Sequence, residues 1–177
     1  MTSRFEETDL GAIRPISIAG RHSKVDVNDI VDPESLAGDG AAIAGTLLSA
    51  MPDILAADAL KKSVAALRRA RDEGREIIWL IGAHTIKVGL SKYLGALIDR
   101  GFITTLASTG SATIHDLELA FFGKTSEDVA MELPAGRFGM SKETATHYFA
   151  ACNRAAELEV GLGGGFGDYI ARRGRPD

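Results

Sequence analysis

Two short apolar runs, each ending on a turn of small residues that opens a helix, constrain this chain more than anything else in it. Ile77-Ile78-Trp79-Leu80-Ile81 has the unbroken hydrophobicity of a strand buried on both faces of a parallel sheet. Gly82-Ala83-His84-Thr85 follows as a turn. From Ile86 to Arg100 the apolar positions Ile86, Val88, Leu90, Leu94, Leu97 and Ile98 predict a helix stopped by Gly101. Phe102 to Leu106 is the second run, Ala107-Ser108-Thr109-Gly110-Ser111 the second turn, and Ala112 to Phe122 the second helix. Strand–turn–helix–strand–turn–helix is a βαβα unit, whose parallel connection is expected to be right-handed. The expected fold class is therefore α/β, with a parallel sheet around 77–122 and helices over 41–71 and 141–159 covering its faces.

The flanks are read from punctuation. Ile13 to Ile18 predicts a short strand, and 26–37 is loop-like. Ala41 to Met51 predicts a short buried helix ending at Pro52. In the next helix, to about Arg71, Leu60, Val64, Leu67 and Ala70 line one face and basic residues fill the other. Thr125-Ser126-Glu127-Asp128 has the character of a helix start. Gly161 to Asp177, rich in Gly and Arg, is expected to be a flexible tail after a single domain over 1–160.

Composition narrows the function classes. With 24 acidic and 20 basic residues the net charge is −4, which gives no electrostatic case for nucleic acid. No apolar run approaches the ~18 residues of a membrane span, and the polar, acidic N-terminus resembles no signal or transit peptide. The single cysteine, Cys152, favours a reducing compartment, and cytoplasmic is the expected location. The 20 glycines are aperiodic, and several follow apolar runs, where α/β proteins need tight turns and close ligand approach.

Ligands of open parallel sheets bind beyond the carboxyl ends of the strands. The candidate binding residues are therefore Gly82, Ala83, His84 and Thr85 in the first turn, and Ser108, Thr109, Gly110 and Ser111 in the second. Each turn feeds a helix N-terminus, where unpaired N–H groups favour phosphate. Neither GxGxxG nor GxxxxGK[ST] is present. His115 and Asp116 are the candidate acid/base pair, and His115 with Glu118 has the i,i+3 spacing of metal ligands, although those acids can equally serve the helix N-terminus.

The stretch IGAHTIKVGLSKYLGALIDRGFITTLASTGSATIHDLELAFFGKTSEDV resembles deoxyhypusine synthase and its bacterial homologues, over about a quarter of the chain. The resemblance implies a three-layer, Rossmann-like, NAD-binding parallel sheet. It also implies that Gly82 to Thr85 and Ser108 to Ser111 line the dinucleotide site. His115 and Asp116 match an acidic pair near the NAD or polyamine site, with His115 standing where the family has its first acid. The family's catalytic lysine lies in a second half that this sequence does not contain.

The first functional expectation is thus NAD-type dinucleotide binding, with NAD-dependent transfer or oxidation of an amine as the associated chemistry. A small-molecule amine or nucleotide would be the ligand and a homo-oligomer the assembly. The alternative is a non-catalytic subunit or fragment of a larger synthase-like enzyme. A third is a small metal-dependent hydrolase using His84, His115 and Asp116.

Overall fold

The computed structural model describes residues 9–36 and 38–174. The first apolar run becomes β2 (Ile78–Ile81) and the second contributes β3 (Thr105–Ser108). They pair in parallel, Ile78 opposite Thr105 through Ile81 opposite Ser108. Between them lie α3 (Ala83–Lys87) and α4 (Ser91–Asp99) in place of one helix over 86–100. The break falls at Gly89, whose φ of +83° is a left-handed conformation that glycine adopts without strain.

The three-layer Rossmann-like parallel sheet does not form. Among the described residues the strands make two separate two-stranded sheets, parallel β2–β3 and antiparallel β1–β4, where β1 is Ser23–Asp26 and β4 is Lys124–Glu127. Helix accounts for about 62% of the described residues. The physical reason is a shortage of strands: only two runs have parallel-strand character, and a doubly covered sheet needs several more. β2 is accordingly not buried on both faces. Its exposure alternates, leaving Ile78 63% and Leu80 79% accessible on one side.

The chain divides into two compact units. One comprises residues 25–116, the other the described residues through Lys24 together with those from Leu117 onward. In the first, α1 (Asp39–Ala50) and α2 (Leu55–Asp72) precede β2, and neither contains a fully buried residue. The Arg71 guanidinium lies over the Phe102 ring at 4.4 Å, and Trp79 Nε1 donates to the Phe102 carbonyl at 3.0 Å.

The second unit is built on the part of α5 (Gly110–Phe122) from Leu117 onward, α7 (Lys142–Glu157) and α8 (Leu162–Arg173), with the one-turn α6 (Val129–Glu132) capped by the Asp128 carboxylate. Of the segment 125–128, expected to open a helix, 125–127 belong to β4 instead, and only Asp128 serves as the cap after which the helix begins. Leu117, Phe121, Ala151 and Phe166 form the core, with Tyr148 and Cys152 packed against it. The expected flexible tail is α8 through Arg173; residues 175–177 lie outside the described residues. Its glycines are poor helix formers singly, but packing overrides propensity here. A Cβ on Gly165 would collide with Cβ, Cα and the backbone nitrogen of Ala155, so glycine is what lets α8 cross α7 this closely.

The strand expected over 13–18 reduces to one bridge between Ile16 and Ser141. The N-terminal segment is held otherwise by carboxylates. Glu143 accepts the Ile18 N–H at 2.8 Å, Glu118 takes Arg21, and Glu132 takes His22.

Candidate functional site

Because Ile81 pairs with Ser108, the two predicted turns leave the parallel pair side by side at its carboxyl end. Gly82 caps α3, and Gly110 opens α5. Beside them, within the unit of residues 25–116, is a cavity of about 250 Å³. Ile81 and Leu106 from the strands, Ile86, Leu94 and Ile98 from α3 and α4, and Ala112 from α5 give it an apolar wall. Ser91, Ser108, Thr113 and Asp116 supply its polar atoms, and Gly95 completes the lining.

Asp116 is the one ionisable group among these. Although the residue keeps solvent contact, desolvation raises its carboxyl pKa above the ordinary aspartate value. The Thr113 hydroxyl donates to the Gly110 carbonyl at 2.7 Å, leaving its lone pairs as acceptors.

Of the predicted residues, Ser108 and Asp116 line the cavity. Gly82 is the N-cap of α3, and Ala83, His84 and Thr85, expected to form a turn, are already its first helical residues, with His84 exposed. Thr109, Gly110 and Ser111 are exposed at the start of α5, the Thr109 and Ser111 hydroxyls 2.8 Å apart. Gly82 has an extended backbone (φ −111°), and a Cβ there would meet no protein atom within 4 Å. Neither conformation nor packing inside the chain demands glycine at 82, so that side of the turn is open to an approaching molecule. His115 is half-buried and lies outside the cavity lining, as expected of a helical neighbour rotated by about 100° from Asp116.

Sequence reasoning missed Ser91, Gly95 and Thr113. The spacing could have found them: Thr113 is three residues before Asp116 and Ser91 four before Gly95, each pair sharing a helix face.

Glu118, third of the predicted polar trio, is buried in the other unit. Its oxygens accept Arg21 Nη1 at 2.7 Å and Nη2 at 3.1 Å, Thr125 Oγ1 at 2.5 Å and Thr144 Oγ1 at 2.7 Å. Desolvation pushes its pKa up, but these partners outweigh it and the net displacement is downward. Fully buried Glu132 is held at about 2, first by the His22 N–H, then by Arg137 and the His22 ring. These carboxylates are clamps saturated by local donors. Among the described residues no three His, Cys, Asp or Glu side chains group as a metal-holding set.

No family model, no curated protein and no solved structure matches this chain. Among the described residues no helix is long and apolar enough to cross a membrane.

Proposed function

We propose that the cavity at the carboxyl end of β2 and β3 binds a nucleotide-type ligand of the NAD class, a reading that rests also on the resemblance of residues 82–123 to deoxyhypusine synthase-like proteins. The observation that carries it is the cavity itself: about 250 Å³ of apolar enclosure with a single carboxylate, beside two small-residue turns. That volume suits one ring system. In this reading the rest of a dinucleotide lies across the turns, where open space at Gly82 and the exposed hydroxyls of Ser108, Thr109 and Ser111 are available to it. When bound, such a cofactor supplies hydride-accepting chemistry. Asp116 accepts a ribose hydroxyl or holds the ammonium of an amine substrate, and its raised pKa suits it to keep or take a proton. A cytoplasmic setting, in which Cys152 stays reduced, fits this role.

The test is calorimetric titration with NAD and with ADP-ribose, on the native chain and on Gly95→Leu. A Cβ at Gly95 meets no protein atom within 4 Å, so the leucine enters the cavity while improving helix propensity. Saturable one-to-one binding weakened at least ~10-fold by the leucine, the equivalent of about 1.4 kcal/mol, is the expected result. No binding of either ligand to the folded native chain ends the reading.

A second reading, a non-catalytic subunit of a homo-oligomer, is favoured by the accessible face of β2 at Ile78 and Leu80 and by α1 and α2, which bury no residue fully.

A further inference from the structure

We propose that α8 is a proton-sensitive latch, docked on α7 through His147 and Tyr169 and loosened when the His147 ring takes up a proton. His147 is 7% exposed, enclosed by three elements. From α5, Phe121 stacks on its ring at 4.8 Å and 26°, and Phe122 lies 5.6 Å away. From α8, the Tyr169 hydroxyl is 2.8 Å from Nδ1, and Arg173 Nη1 donates to that same hydroxyl at 3.3 Å. On its own helix one turn earlier is Glu143, whose carboxylate already accepts the Ile18 N–H.

This arrangement selects a neutral ring. The Tyr169 hydroxyl accepts from Arg173 and can at the same time donate to a bare Nδ1 of the neutral ring. A proton on the ring puts a second cation beside Arg173 at a buried site. Burial first, and then Arg173, lower the His147 pKa, with Glu143 opposing. The docked state therefore disfavours the imidazolium. Docking strength is fully present above the free value of 6.5 and declines as pH falls below it. What loosening uncovers is the apolar underside of α8, Phe166 and Tyr169, and the face of Phe121 and Tyr148 that it covers.

The experiment is hydrogen exchange on the full chain, read on peptides from 162–173 and corrected for intrinsic rate, at pH 7.5 and pH 5.5. That window lies above the range in which the clamping glutamates titrate. α8 is expected to lose protection by about threefold or more at pH 5.5 in the native chain, and to show no such loss in His147→Gln, whose amide accepts from Tyr169 but takes no proton. Equal protection at both pH values in the native chain overturns the proposal, as does an undiminished loss in His147→Gln. Should that variant fail to fold, Arg173→Gln decides. Removing the neighbouring cation must shrink the pH effect, and an unchanged or larger effect overturns the latch.

Discussion

Asp116 and Glu118 sit two residues apart on α5 and have opposite electrostatic fates. Asp116 has a raised pKa without a salt bridge among the described contacts, so its ionised form opposes folding: the contribution of this one group is most favourable at low pH and is lost as pH rises through the aspartate range. Asp116→Asn is therefore expected to raise the unfolding midpoint of the ligand-free chain while weakening ligand binding, a pairing that thermal denaturation and calorimetry together detect. Glu118 behaves the other way. Arg21→Ala leaves it buried without its charge partner and is expected to destabilise by about 3–5 kcal/mol in denaturant unfolding. The lowered values of Glu118, Glu132 and Glu143 have one sign: their stabilisation is complete above pH 4.5, the ordinary value, and is lost below it, for Glu132 down to about 2. Acid unfolding followed by circular dichroism checks that window. Asp116 was legible in the sequence as a polar residue in the first turns of a helix after a strand. The Arg21–Glu118 pair was not, because a contact across 97 residues leaves no local periodicity to read.

At the scale of elements, what could be read and what could not divide by the source of stability. The run 77–81 and the helices α2 and α7 announce themselves through hydrophobic pattern, and the structure contains them, whereas the run 102–106 overlaps β3 only at Thr105 and Leu106. α8 does not, since five glycines within 161–167 contradict helix propensity. Its stability comes from close approach to α7, which only the assembled pair reveals. Gly165→Ala is accordingly expected to destabilise by about 1–3 kcal/mol, whereas Gly163→Ala, whose added methyl meets nothing within 4 Å, stabilises or is neutral. Urea titration of the two variants separates these outcomes. Of the candidate site, Gly82 and Ser108 were placed from strand ends, while Ser91 and Gly95 of α4 were passed over although their spacing puts them on one helix face.

For the whole molecule, the expectation of a broad parallel sheet failed because two apolar runs make one parallel pair and no more. The pair keeps one apolar face accessible, and a second copy is the simplest cover for it. Light scattering is expected to report an oligomer for the native chain, and Leu80→Lys to shift it toward monomer with the secondary structure retained. A native chain that stays monomeric at high concentration removes this expectation.

The division into units also sets an order in time. Residues 25–116 cluster as one compact unit and are synthesised before residue 117 and those after it. Arg21 and His22, made before them, are separated from Glu118 and Glu132 by 97 and 110 residues. At ordinary elongation rates the N-terminal segment waits roughly 5–20 s, unpaired, while the rest is synthesised. A segment made before the unit of residues 25–116 is thus secured only after that unit has been synthesised.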